Sequence, residues 1–184
     1  RRLAYSTVGH LSYIVLGIAL FNPEAWSGGL FHIITHAAMK ITLFFCAGAI
    51  YVKTHRENID ELDGIGRQMP ITMGAFGLAS LGLVGVPPLG GFVSKWFLAQ
   101  GTLAAGQPWL LAILLLSGIL NAAYLLPIVA RAFFIRSAQF PKFAEASPMM
   151  ILPILVTALL AILLGVYPNA IFHWFSLGQQ VSRD

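Results

Sequence analysis

Charge is what this sequence has least of. Only 10% of its 184 residues are Asp, Glu, Lys or Arg, against about 25% in an ordinary soluble domain. With 58% of residues hydrophobic, there is too little polar surface to keep a monomer in water. That excludes a soluble globular enzyme, a nucleic-acid-binding domain and a disordered tail, and it demands lipid as solvent. Cysteine is nearly absent. The one copy, Cys46, sits in an apolar run, so an internal disulfide and a Cys-based metal site are both excluded. It reads as a small buried apolar residue. There is no initiator Met and no signal peptide, and Arg1-Arg2 stand directly before an apolar run. An internal piece of a longer polypeptide is the expectation. Cysteine clusters, a glycine-rich dinucleotide turn and a haem signature are missing too, so no cofactor is expected in this chain.

What is there is a series of long apolar stretches. At roughly 20 residues per span, the length allows about five to six transmembrane helices. Five runs predict spans over 3–21, 30–52, 71–86, 91–135 and 149–166, the fourth broken near 105–108 as a discontinuous helix. The runs are continuous and must pair every backbone polar group within lipid, which implies helices rather than strands. The expected architecture is all-α: a polytopic transmembrane helix bundle forming a single domain over 1–184. The final segment, with Phe172, Trp174 and Phe175, suits an interface or the start of another span.

The few charges are ordered. Arg1, Arg2, Lys53, Arg56, Arg67, Arg131, Arg136 and Lys142 fall on one side if the spans alternate. The loops predicted for the other side, 22–29 and 86–90, carry no Lys or Arg, and only Arg183 breaks the bias. The positive-inside rule then places the Arg1-Arg2 side in the cytoplasm. Trp26 and Trp174 fit an aromatic belt. All seven acids, Glu24, Glu57, Asp60, Glu61, Asp63, Glu145 and Asp184, fall in predicted loops or at the terminus.

Two lysines remain inside apolar runs, Lys40 and Lys95. A lysine in mid-membrane costs about 2.5–3.5 kcal/mol on insertion scales and marks an ion or proton path by default. His32, His36 and Lys40 stand at i, i+4 and i+8, on one helix face over a rise of about 12 Å. Imidazole accepts at one nitrogen and donates from the other, so this ladder suits proton relay. A structural lysine paired with a carboxylate on another helix is the bland alternative. Zinc between the two histidines lacks acidic or Cys ligands nearby in sequence. His10, with Ser6 and Tyr13 one turn away on either side, forms a short polar stripe. It reads equally as a structural hydrogen bond or as part of the path. Lys95 follows Pro87, Pro88, Gly90 and Gly91, residues that end or start helices. Gly106 and Pro108 are expected to close its segment as a half-helix, of the kind that exposes backbone at ion sites. Ser94 is the expected hydrogen-bond neighbour of Lys95, and snorkelling of Lys95 to the outer interface is the alternative. Asn121 and Tyr124 read as helix-packing residues.

The segments RLAYSTVGHLSYIVLG, FHIITHAAMKITLFFCAGAI and GLVGVPPLGGFVSKW, in this order and spacing, resemble consecutive signatures of the antiporter-like proton-channel subunits. That family includes complex I membrane-arm subunits, Mrp-type cation/proton antiporter subunits and membrane-bound hydrogenase subunits. The resemblance implies the second inverted repeat of a longer antiporter-like fold. It implies Lys40 as the central lysine reached through His32 and His36, and Lys95 as the lysine on a broken helix facing the exit. His10 stands where the family often has Gln. It further implies proton or proton/cation translocation by a non-catalytic subunit of a redox-driven pump of NADH-quinone oxidoreductase type. The partners would be other membrane subunits and the lipid bilayer, the cargo protons or Na+, and the place a bacterial or archaeal cytoplasmic membrane. Redox cofactors would belong to partner subunits. An Mrp-type or hydrogenase membrane subunit shares the same channel residues, and a structural membrane scaffold predicts that both lysines are dispensable.

Overall fold

Each apolar run folds as helix, the only single-segment arrangement that pairs its own backbone groups. The computed structural model describes residues 2–135, 137, 140 and 142–169. Its helices are α1 (Arg2–Ala19), α2 (Pro23–Thr54), α3 (Pro70–Val84), α4 (Gly90–Ala104), α5 (Pro108–Phe134) and α6 (Pro148–Val166), with 3-10 turns at Ile59–Leu62 and Ile65–Arg67. No strand occurs among the described residues. Arg1, Arg136, Trp174, Arg183 and the aromatic terminal segment lie outside the described residues. By length and composition, α2, α5 and α6 are each apolar enough to cross a membrane. Their outward faces are apolar and exposed, as at Ile119 on α5 and Leu152 on α6.

The core forms around α2, which packs against α1, α3, α4 and α6. Its start is specified locally. The Asn22 side chain accepts the Ala25 N–H at 2.9 Å, and Pro23 fills the first turn, where its missing N–H costs nothing. The Asn22 amide also donates to Gly101 O at 2.8 Å, tying the end of α4 to the start of α2. Glu24, expected in a loop, lies in the first turn of α2, where its charge suits the helix dipole.

The break in the third crossing differs from expectation. Cys46 Sγ donates to Thr72 O at 3.3 Å, Gly82 lies against Met39, Gly28 against Ser94 and Leu98, and Gly101 against Ala25. Thus α3 and then α4 run in series alongside α2, from Cys46 up to Ala25. Those α2 residues are separated by about 32 Å at 1.5 Å per residue, close to the thickness of the hydrocarbon core. Neither 15-residue helix covers that depth alone. The interruption inside the crossing is therefore 85–89, not 105–108. Residues 105–107 form the turn at the end of α4, beside Asn22, and α5 returns as a separate 27-residue helix. The stretch 91–135, predicted as one broken span, is two antiparallel elements, and 71–86 is half of a crossing. The same residue types close both helices: Gly85 at φ 95° with Pro87-Pro88 following, and Gly106 at φ 67° with Pro108 following. Local chemistry cannot separate a mid-membrane break from an end turn. Depth does, and packing on α2 sets depth.

Basic and acidic groups meet at the opposite end of the bundle. Arg131 holds Asp63 through Nε–Oδ1 at 2.6 Å and Nη2–Oδ2 at 3.0 Å, and also contacts Asp60. The guanidinium's hydrogen bonds hold the Asp63 carboxyl below its usual range. Arg56 donates to Glu61 O at 3.3 Å and lies over the Phe140 ring. Glu145 caps α3, accepting from Ile71 N at 2.5 Å, Thr72 N at 3.2 Å and Thr72 Oγ1 at 2.8 Å. A carboxylate at a helix N-terminus satisfies orphan donors and complements the dipole. Glu145→Ala is expected to cost about 1–2 kcal/mol, read as a lower thermal midpoint of the detergent-solubilised full-length subunit. An unchanged midpoint would show that water replaces the cap at no cost.

Candidate functional site

The polar side chains that the sequence scatters over three helices meet inside the bundle. On α1, His10 and Tyr13 are one turn apart. On α2, His32 and His36 are one turn apart, and all four are buried. His10 Nδ1 and His32 Nε2 lie 3.1 Å apart. The His10 ring stacks on His32 and His36, with centroids at 5.3 and 5.1 Å, and the His32 and His36 rings are 5.9 Å apart. The Tyr13 ring meets His10 and His32 edge-on at 5.3 and 5.2 Å. His32 Nδ1 then reaches Ser94 Oγ on α4 at 2.8 Å.

This is not the ladder that the α2 spacing predicts. No side-chain hydrogen bond joins His32 to His36, or His36 to Lys40, among the described residues. Rings at i and i+4 stack along the helix axis, so their in-plane nitrogens point past each other. His10, arriving from the neighbouring helix, makes the in-plane bond. The polar stripe with Ser6 and Tyr13 was the available sequence signal for it. Ser94 also differs from expectation: it bonds His32 and Gly91 O rather than Lys95.

Each lysine is held by backbone. Lys40, 5% exposed, donates to Leu3 O on α1 at 2.8 Å. Lys95 donates to Leu83 O and Val84 O at 2.8 and 2.9 Å, and its Nζ lies 5.2 Å over the Tyr13 ring. Leu83 and Val84 are the last residues of α3, where carbonyls lack helical partners and the dipole favours a cation. The Gly85-Val86-Pro87-Pro88 break thus creates the carbonyls that receive Lys95. The half-buried ammonium points back to the break and not outward along the lipid face. No carboxylate pairs with either lysine among the described residues, whereas Arg131 pairs with Asp60 and Asp63.

Ser6 leaves the histidine stripe and contacts Tyr124 on α5. Tyr124 donates its one proton to Asn121 Oδ1 at 2.5 Å, so it accepts from Ser6. Asn121 donates to Ser117 O at 2.9 Å, and Tyr13 donates to Ser117 Oγ at 2.6 Å. A cleft of about 350 Å³, lined by Arg2, Tyr5, Ser6, Asn121 and Tyr124, opens here between α1 and α5. An amide oxygen does not pass a proton on, so the Ser6–Tyr124–Asn121 row ends there and serves packing. No group of three His, Cys, Asp or Glu among the described residues suits a metal ion, because the three imidazoles stack instead of converging on a point.

Comparison with known proteins identifies the family of the chain. Residues 1–121 match the family model described as NADH:quinone oxidoreductase/Mrp antiporter, transmembrane. The chain is 36% identical to NADH-quinone oxidoreductase subunit N of Desulforudis audaxviator, over 93% of this chain and 37% of that one. It is 30% identical to an NAD(P)H-quinone oxidoreductase chain 4 of Synechococcus elongatus, over 92% of this chain and 33% of the relative. It therefore spans about a third of the length of these relatives. A chain in a structure of respiratory complex I from Thermus thermophilus with bound NADH superposes with a TM-score of 0.85 at 27% identity, over 98% of this chain and 38% of that one. A chain of an Mrp complex from a Dietzia species shares the fold, with a TM-score of 0.87 at 22% identity, over 99% of this chain and 42% of that one.

Proposed function

The chain belongs to the NADH:quinone oxidoreductase/Mrp antiporter transmembrane family, a multi-pass membrane fold, and from that premise we propose that it conducts protons within an antiporter-like subunit of a redox-driven pump of NADH-quinone oxidoreductase type. The observation that carries this reading is the buried polar row. His36, His10, His32 and Ser94 form one contiguous set of contacts across α1, α2 and α4. It links the helix bearing Lys40 to the half-helix bearing Lys95. A polar row is expensive in lipid, and such residues mark ion or proton paths by default. Protons enter at Lys40, cross by imidazole relay, and leave through Lys95 at the broken crossing. Other membrane subunits of the complex hold the redox cofactors and drive the cycle. The end bearing Lys53, Arg56, Arg67 and Arg131 faces the cytoplasm of a bacterial or archaeal cell, by the positive-inside rule. An Mrp-type antiporter uses the same residues. The two readings part on whether transport requires quinone reduction or follows an imposed cation gradient, and on whether Na+ moves with the protons.

The test is His32→Gln in the full-length subunit, within the complex reconstituted in liposomes. Glutamine keeps a donor and an acceptor but cannot relay a proton. Pumping is expected to fall about 100-fold, with quinone reduction retained when an uncoupler is added. Normal pumping overturns the relay.

A further inference from the structure

Ser94 makes two contacts that together fix the direction of every hydrogen bond in the imidazole row. Its hydroxyl has one proton. That proton goes to Gly91 O at 3.0 Å, an atom that can only accept. Ser94 Oγ must then accept from His32, so His32 carries its proton on Nδ1. Neutral His32 then has a bare Nε2, which accepts from His10 Nδ1 at 3.1 Å. Neutral His10 in turn has a bare Nε2, and that atom is buried with no hydrogen-bond partner among the described residues.

The opposite polarity is the competitor. There the Ser94 proton points at His32 Nδ1, His32 donates from Nε2 to His10 Nδ1, and His10 carries a proton on Nε2. That arrangement abandons the bond to Gly91 O and leaves a buried N–H donor unmet at His10. Orphaned buried N–H groups are rarer than under-used acceptors, so the first polarity is favoured twice over.

We infer that Ser94 sets the polarity of the row: its bond to Gly91 O locks His32 and His10 as Nδ1–H tautomers and leaves His10 Nε2 as the basic nitrogen at the head of the hydrogen-bonded row, beside the stacked His36, whose Nε2 is likewise buried without a partner among the described residues. This inference rests on the relay proposed above and adds its polarity. A proton arriving at His10 Nε2 makes His10 cationic. His10 then gives its Nδ1 proton to His32 Nε2 and becomes neutral, with its proton now on Nε2. His32, now cationic, gives its Nδ1 proton to Ser94 Oγ, and Ser94 releases its original hydroxyl proton through a bridging water to the lone pair of a neutral Lys95 amine, whose two N–H groups serve Leu83 O and Val84 O. One proton enters and one leaves. The row finishes in the opposite polarity, and a second transfer waits until each imidazole has moved its proton from Nε2 back to Nδ1 by exchange with water and the Ser94 hydroxyl has turned back to Gly91 O. The lock thus makes entry at His10 and exit at Ser94 the ready direction. Gly91 is part of the device because it stands three residues before Ser94 in the first turn of α4, where helical geometry puts its carbonyl within reach of the Ser94 hydroxyl.

Histidine-selective 15N spectra of the full-length subunit in its liposome-reconstituted complex read the tautomers, with His10→Gln and His32→Gln assigning the signals. The wild type is expected to show Nδ1–H at both positions. Ser94→Ala should turn both into tautomer mixtures and cut pumping about tenfold, and Ser94→Thr, which keeps the hydroxyl, should restore both. If Ser94→Ala fails to assemble, the wild-type and Ser94→Thr spectra decide the matter. Nε2–H at His32 in the wild type, or tautomers unmoved by Ser94→Ala, overturns the lock. Normal pumping by His32→Gln overturns the relay instead, with the wild-type tautomers still on record.

Discussion

Lys40→Met in the full-length subunit is expected to bring proton pumping by the assembled complex to background while quinone reduction continues under uncoupled conditions. Methionine keeps the length and the apolar stem and removes only the titrating head. The structural loss is small: among the described residues Lys40 Nζ has Leu3 O as its one hydrogen-bond partner, a contact of about 1–3 kcal/mol for a charged donor. Against it stands the insertion penalty of a mid-membrane lysine, about 2.5–3.5 kcal/mol, which methionine abolishes. The variant should therefore fold and assemble as well as the wild type. The functional loss is complete because no other titratable side chain occupies that depth of α2 below His36. Lys40→Arg sharpens the result. It restores a charge and donors toward Leu3 O, but a guanidinium holds its proton in proteins, so pumping stays at background. Pumping measured by quenching of a pH-sensitive dye in liposomes decides the matter. If either variant pumps normally, Lys40 is a structural residue and the scaffold reading takes its place.

Helix content and the inventory of membrane-buried polar residues were legible in the sequence because each is a one-dimensional property. Apolar runs long enough for lipid must be helical. His10, His32, His36, Lys40 and Lys95 stood out because each interrupts such a run. Partnerships were less legible because they depend on how neighbouring helices are rotated and staggered. The i, i+4 spacing of His32 and His36 gave the right face but the wrong bond, since rings one turn apart stack and the in-plane contact comes from His10 on α1. The break was found in composition and misplaced in depth: Gly85 and Gly106 end their helices alike, and only contact with α2 shows which is interior. Backbone acceptors left no sequence signal of their own. The carbonyls of Leu83 and Val84 became the lysine's partners because the proline pair after Gly85 ends α3 there. Ser94 was singled out for its neighbour in sequence, Lys95, whereas one helical residue of rotation, about 100°, points it at His32 instead.

Whether Ser94 then reaches His32 depends on how closely α4 approaches α2, and the approach depends on Gly28. A Cβ at Gly28 would lie 2.7 Å from Leu98 N and 2.9 Å from Ser94 O. These are backbone atoms of α4 and cannot swing aside like a flexible side chain. Gly28→Ala is expected to push the α4 backbone out by roughly half an ångström to one ångström to regain van der Waals contact. That is enough to stretch the 2.8 Å His32–Ser94 bond beyond useful hydrogen-bond length. Pumping should fall about tenfold or more while the complex still assembles, because the overpacking cost of about 1–3 kcal/mol is spread over two helices. Gly28→Val adds two methyl groups at the same seam and should prevent α4 from seating, so that little assembled complex is recovered. Gly48 supplies the control on the same helix. A Cβ there meets nothing within 4 Å, and alanine is the better helix former by about 1 kcal/mol, so Gly48→Ala should leave both yield and pumping intact. If Gly28→Ala and Gly48→Ala behave alike, close approach of α2 and α4 is not what positions Ser94, and the row must be held by the cation at the α3 break. If they differ as expected, a single hydrogen atom on α2 is what lets a half-helix end its polar face within reach of an imidazole.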